Sequence, residues 1–371
     1  MKVLHINAGL ENGGGLYHII NLLSAAKMRN KDYELLTLAE GPVKAAAEEA
    51  KIKVTSLESN SRYDIKVFRR LIDYINQNNF DIVHTHGPRA NLFLYLIHKK
   101  IKAKWVVTVH SDPLLDFANN GLIGKIFTKL NILALRHADR IFAITQRFAD
   151  LLTDQVKIDP KKIIVIYNGI FFKNQIPVKL THDKFNIINV ARCEKIKGQD
   201  LLLKALHAAD DQRLMLHIAG DGSQLPHLKE LAKELKLEDQ VIFHGFLSHT
   251  ELTKLYQKMD LAVLSSYSES FPLVLLEAGD NELPLLSTTV GDIKKLIPDD
   301  EHGFIVNIGD EVALSEQLVN ISKLSKKQLQ MIAKKEKQYL ANTFSIYNQL
   351  AEIDQGYQLL MKLISNCFII N

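Results

Sequence analysis

Two successive series of short, almost wholly apolar segments, each segment followed by a longer stretch with helical period, constrain this chain more than any other feature. A strand that is apolar at consecutive positions is buried on both faces, and such strands belong to parallel sheets covered by helices. WVVTV (105–109) and IIVI (163–166) are clear cases. The first series predicts strands at 2–7, 34–38, 54–57, 81–85, 105–110, 140–145 and 163–167, with helices such as 17–28 and 67–77 between them. The second predicts strands at 186–191, 215–219, 241–244, 261–265, 285–288 and 304–306, with a helix at 225–235. Each series is the pattern of a doubly wound α/β domain. The polar stretch 171–183, with Pro177 and no helical period, reads as the linker. A helical region follows from about 325 to 364, and NTFS (342–345) predicts a kink in it. A length of 371 residues agrees with two domains.

Composition narrows the function classes. The 46 basic and 42 acidic residues leave a formal charge of +4, without the basic excess expected of a nucleic-acid binder. Two cysteines, Cys193 and Cys367, make no disulfide framework and fit a reducing compartment. The start, MKVLHINA, reads as a strand and not as a signal peptide. Apolar runs such as NLFLYLI (91–97) fall short of the ~20 residues of a membrane span. The expectation is a cytoplasmic protein. GLIGKIFTKLNILALR (121–136), with Lys125, Lys129 and Arg136 among apolar residues, is either an ordinary domain helix or a peripheral contact with the inner membrane face.

Ligands of open α/β sheets bind beyond the carboxyl ends of the strands, so polar residues there are the candidates. Gly13–Gly15 precede the first helix, where Gly14 and Gly15 let backbone approach a phosphate or sugar, or simply form a turn. His84, His86 and His110 end neighbouring strands. They offer a zinc site, structural contacts or a substrate contact, with His110 the sharpest candidate. His84 and His86 are expected on opposite sheet faces. Arg192 and Lys197 either converge on a diphosphate or lie in a solvated charged loop. Gly220-Asp221-Gly222 is either a tight turn or the floor of a nucleotide pocket. In SESFPLVLLE (268–277), Pro272 suits a first helical turn whose free N–H groups face Ser268–Phe271 and form an anion pocket. Glu269 sits in the loop before that helix, and Glu277 lies within it, facing either solvent or a ribose diol.

Together these segments resemble a retaining glycosyltransferase of family 4. The resemblance runs through the glycine loop, FDIVHTHG (80–87), VVTVHSD (106–112), ADRIFAIT (138–145), YNG (167–169), VARCEKIKG (190–198), HIAGDG (217–222), FHGFL (243–247) and SESFPLVLLEA (268–278), in that order. The last carries a Glu-x7-Glu element through Glu269 and Glu277. The resemblance implies a GT-B fold: two Rossmann-like doubly wound domains facing across a cleft. Residues 1–170 would bind acceptor, with a C-terminal helix at about 346–371 packed back on them, and 171–345 would bind the nucleotide sugar.

It further implies that Gly14 and Gly15 approach donor phosphates and sugar, that Arg192 and Lys197 hold the diphosphate, and that the turn of Ser270, Phe271, Pro272 and Leu273 adds backbone N–H groups to that clamp. Gly220 would shape the pocket, Glu277 would bind ribose, Glu269 the donor sugar, and His110 the transferred sugar. The implied reaction moves a hexose or N-acetylhexosamine from a UDP-sugar to a glycan or lipid-linked acceptor in bacterial cell-surface polysaccharide assembly. No cofactor and no metal are implied, and the chain lacks an Asp-x-Asp pair. Two positions depart from the family pattern: Glu282 stands where a glycine usually precedes Pro284, and Lys295 where an acid usually follows Gly291. A non-catalytic partner subunit and a UDP-sugar epimerase are the competing readings.

Overall fold

The computed structural model describes residues 1–11, 13–57, 66–117, 121–174 and 182–367, the last five without their side chains. It divides into two units, Met1–Phe171 with Ile346–Asn371, and Phe172–Ser345. Most of the predicted linker lies outside the described residues.

Unit 1 holds strands β1 (Lys2–Asn7), β2 (Asp32–Thr37), β3 (Val54–Ser56), β4 (Ile82–His86), β5 (Lys104–Val109), β6 (Arg140–Ala143) and β7 (Ile163–Val165). They form a seven-stranded sheet of order β3-β2-β1-β4-β5-β6-β7, with every pair parallel. Its helices are α1 (Gly14–Met28), α2 (Pro42–Glu49), α3 (Lys66–Gln77), α4 (Pro88–Ile97), α5 (Gly121–His137) and α6 (Gln146–Asp154). The strand order reverses direction between β1 and β4. Loops leaving those two strands diverge, and the divergence opens a crevice at their carboxyl ends.

Unit 2 repeats the plan. Strands β8 (Phe185–Val190), β9 (Leu214–Ala219), β10 (Val241–Gly245), β11 (Leu261–Leu264), β12 (Leu285–Thr288) and β13 (Phe304–Val306) pair in parallel in the order β10-β9-β8-β11-β12-β13. Between and after them run α7 (Gln199–Ala209), α8 (Leu225–Glu234), α9 (His249–Tyr256), α10 (Leu273–Asp280), α11 (Ile293–Leu296), α12 (Glu311–Ser322) and α13 (Lys326–Thr343). The reversal here falls between β8 and β11.

The predicted kink at 342–345 is a full break. Helix α13 starts at a Ser325–Gln328 capping box and ends at Thr343, and α14 (Ile346–Cys367) starts afresh. Ile346 donates its backbone N–H to the Ile170 carbonyl at 2.8 Å. Ile346, Leu350, Ile353, Tyr357 and Leu360 of α14 enter the core that Val3, Leu22, Leu35 and Phe142 build around the first sheet. At ~25 cal/mol per Å² of buried apolar area, side chains of this size each contribute about 1.5–3 kcal/mol.

Candidate active site

Four loops interlock beyond the strand ends of unit 2. Gly198, with φ +62°, closes the loop after β8. A Cβ there would sit 2.1 Å from the Ser265 carbonyl oxygen, which lies just past β11. Gly220 has φ +151°, and a Cβ there would lie 1.8 Å from the Ala191 oxygen. Only glycine permits approaches this close. The Tyr267 N–H donates to the Ile196 carbonyl at 2.8 Å, and Thr288 Oγ1 donates to the Ser266 carbonyl at 2.7 Å. Lys197 and Glu269, delivered by the loops after β8 and β11, therefore meet at the reversal point. Lys197 Nζ donates to both Glu269 oxygens, at 2.7 and 2.8 Å, and Ser266 Oγ donates to Oε1 at 2.6 Å. Lys197 is 18% exposed and Glu269 10%, so the pair is held at a partly dry surface.

Arg192, on the same loop as Lys197, is exposed, and its guanidinium makes no hydrogen bond or ion pair among the described residues. Gly220 borders that loop. Helix α10 begins at Leu273, one residue later than expected: Pro272 is its N-cap (φ −81°, ψ 86°), not part of its first turn. The Leu273 N–H is already bonded to the Phe271 carbonyl at 3.0 Å, and the Leu275 N–H to that of Pro272. The N–H groups expected to be free are thus fewer than the sequence suggested, because the proline turn consumes two of them. Phe271 is buried and Ser270 half-buried. Glu277 turns inward: burial pushes its carboxyl up to about 7, Lys173 opposes the shift and Asp280 adds to it. Glu282 adopts φ +51°, the left-handed region in which glycine is unstrained.

Unit 1 carries a different set of groups at its own reversal point. His5 pairs with His84, and Asn7 with His86, in the β1–β4 register. His84 and His86 lie on the same sheet face, with ring centroids 4.3 Å apart. The expectation of opposite faces fails because the strand period is two, so residues i and i+2 share a face and Thr85 takes the other. His5 Nδ1 and His86 Nε2 are 2.9 Å apart, and His86 Nδ1 and His110 Nε2 3.2 Å, forming a hydrogen-bonded imidazole row. His84 is held by the Tyr357 hydroxyl at 2.6 Å and the Thr108 hydroxyl at 2.7 Å. His18 on α1 meets Asn168 Oδ1 at 2.7 Å. Burial lowers all of these imidazoles, His5 to about 3 and His18 to about 4, so they are neutral. His5, His84 and His86, and separately His18, His86 and His110, bring nitrogens within 4.8 Å of one another, which supplies the donors a metal would need. In the structure His86 spends both of its nitrogens on other histidines.

His110 and Gly15 also line a pocket of about 250 Å³ at the ends of β4 and β5, with Glu11, Asn91, Asn131 and Asp116 around them. Among the described residues, no lysine or arginine lines it. A Cβ on Gly15 or Gly87 would lie 2.7 or 2.4 Å from a Glu11 oxygen, so that carboxylate is wedged between two glycines. Gly14, by contrast, faces open space. Burial raises Glu11, and raises Asp116 to about 6 against the Ser111 hydroxyl that donates to it at 2.5 Å. Sequence reasoning missed Glu11, Asp116 and Ser266. Each lies a few residues past a strand end, the signal that singled out the others.

Known proteins carry the same plan. Residues 12–171 match the model for glycosyltransferase family 4, and residues 171–338 that for glycosyl transferases group 1. This chain belongs to the GT-B glycosyltransferases. The N-acetyl-alpha-D-glucosaminyl L-malate synthase of Bacillus anthracis is 25% identical to this glycosyltransferase over 275 residues, 70% of either chain. The UDP-Gal:alpha-D-GlcNAc-diphosphoundecaprenol alpha-1,3-galactosyltransferase of Escherichia coli is 22% identical over 311 residues, 79% of either chain. Anabaena HepE, solved in complex with UDP and glucose, superposes with a TM-score of 0.79 at 17% identity, covering 96% of this glycosyltransferase and 98% of HepE.

Proposed function

We propose that this glycosyltransferase moves a hexose or N-acetylhexosamine from a UDP-sugar to a glycan or lipid-linked acceptor, with retention at the anomeric carbon and without a metal, in cell-surface polysaccharide assembly. The observation that carries the reading is the Lys197–Glu269 pair at the reversal point of unit 2, with Arg192 uncommitted beside it. Arriving diphosphate draws Lys197 and Arg192. Glu269, relieved of part of its ion pair, is left to accept hydrogen bonds from sugar hydroxyls. Glu277, half-buried and close to neutrality, suits a ribose diol. The names of the relatives support UDP and a diphospholipid acceptor, and the HepE complex supports UDP.

The chemistry follows from charge. The bond between C1 and the β-phosphate oxygen breaks, the leaving diphosphate gathers negative charge, and the fixed cations stabilise it. The acceptor oxygen bonds to C1 on the same face, and its proton passes to the departing phosphate oxygen. The pocket of unit 1, lined by Glu11, Asp116 and His110 and by no lysine or arginine among the described residues, suits the uncharged, hydroxyl-bearing sugar of such an acceptor and not its diphosphate.

The test supplies UDP-glucose, UDP-galactose and UDP-N-acetylglucosamine together with polyprenyl-diphosphate sugars, and follows UDP release and product anomer by NMR. Acceptor-dependent release with an α-linked product supports the reading. Isomerised donor without acceptor, an inverted product, or release unchanged by Lys197→Ala overturns it.

A further inference from the structure

Helix α5 is built inside out for a soluble helix. Its buried positions are Gly124, Asn131, Ala134 and Leu135, mostly small or polar. Its exposed positions include Leu122, Ile123, Ile126, Phe127, Leu130 and Leu133, the first three 78%, 64% and 58% exposed. At about 100° per residue these six fall within one sector about 140° wide. Lys125, Lys129 and Arg136 fall together along one border of that sector. An amphipathic helix of a globular protein turns the opposite face outward. The turn before it adds to the surface: Phe117 packs on Phe127, with centroids 5.6 Å apart, and Leu115 in the same turn is 63% exposed.

Charge selects the occupant. Residues 88–139 hold eight lysines and arginines (Arg89, Lys99, Lys100, Lys102, Lys104, Lys125, Lys129, Arg136) against three acids, Asp112, Asp116 and Asp139, the last paired with Lys104. The whole chain carries only +4. Of the three acids, Asp116 is tied to Ser111 and lines the pocket. Helix α4, which packs against α5, brings exposed Leu96 and continues into exposed Lys99 and Lys100. No helix among the described residues is long and apolar enough to cross a membrane. A wide apolar sector flanked by cations on a 17-residue helix is the form of an element that lies in a lipid interface with its axis parallel to the bilayer. We infer that the outer face of α5, with Leu115 and the basic end of α4, docks unit 1 onto a bilayer rich in anionic lipid. The inference stands apart from the donor and the anomeric outcome.

The experiment is co-sedimentation of the full chain with vesicles of phosphatidylcholine alone or with about 30% phosphatidylglycerol. Wild-type protein is expected on the anionic vesicles, with binding roughly tenfold weaker on the neutral ones. The double variant Leu122→Glu/Ile126→Glu is expected to lose binding roughly tenfold or more, since two charges enter the apolar sector. Lys125→Glu/Lys129→Glu should lose the preference for anionic lipid. Met331→Glu, an exposed apolar site on α13, should bind as wild type. All four substituted positions of the two double variants are exposed, so the melting temperatures should match. Three results overturn the inference: no excess binding to anionic vesicles, full binding by Leu122→Glu/Ile126→Glu, or a wild-type dimer that this variant converts to monomer by light scattering. The last would assign the face to a second copy of the chain.

Discussion

The two reversal points share a topology and differ in charge logic. In unit 2 the groups at the strand ends are ionised and mutually compensated: Lys197 and Glu269 form a two-pronged ion pair, and Arg192 stands exposed beside it. In unit 1 they are buried: a row of imidazoles held neutral by desolvation, beside two acids, Glu11 and Asp116, whose carboxyls desolvation raises. A fixed cation serves a ligand that brings negative charge. Buried imidazoles and carboxyl groups serve one that brings hydroxyl groups. The same fold element supports both because it positions loop residues without specifying them.

The comparison breaks most visibly in catalysis. Lys197→Ala should lower turnover about 10²–10³-fold, the usual loss when one contact to a developing charge is removed. Asp116→Asn in unit 1 should leave kcat within about tenfold and act chiefly on the KM of the acceptor, since that group binds without meeting the leaving group. Steady-state kinetics with varied acceptor separates the two. Equal kcat losses would erase the distinction.

Stability sharpens it next. Asp116 has a folded value near 6, above its ordinary 3.8, so the folded state holds a proton that the unfolded state has released between those values. Stability contributed by that proton is present below about pH 4, falls as pH rises to about 6, and is then flat. Asp116→Asn removes the dependence. Relative to wild type it should gain about 1–2 kcal/mol at pH 8, and near nothing at pH 4, by urea denaturation. A gain largest at acid pH would contradict the assignment.

Two smaller effects follow. Tyr357→Phe deprives the buried His84 of one hydroxyl partner and should cost about 1–2 kcal/mol of stability in thermal unfolding. Glu282→Gly should stabilise by up to about 1 kcal/mol, because φ +51° strains every residue except glycine, partly offset by the freedom glycine gains when unfolded. A destabilised Glu282→Gly would show that the glutamate side chain holds something its backbone position does not reveal.

The sheets were legible because they are parallel and covered. β5 and β7 announce themselves as unbroken apolar runs, and every predicted strand overlaps an observed one. Boundaries slipped by a residue or two where loops stay apolar, as at Ile144 and Ile166. The candidate site was legible as far as strand ends and glycines could mark it. The bond between Lys197 and Glu269 was not, since 72 residues separate the partners and only the sheet order brings them together. The helix start at Leu273 escaped because proline suits an N-cap as well as a first turn. Glu11 escaped because nothing local shows that Gly15 and Gly87 would close on it.

Calorimetric titration of UDP into the wild-type chain and into Arg192→Ala and Lys197→Ala decides whether the Lys197–Glu269 junction receives a nucleoside diphosphate. One site is expected in the wild type, with affinity reduced roughly tenfold or more in each variant, about 1.4 kcal/mol or greater. UDP that binds all three proteins equally, or none of them, would contradict it.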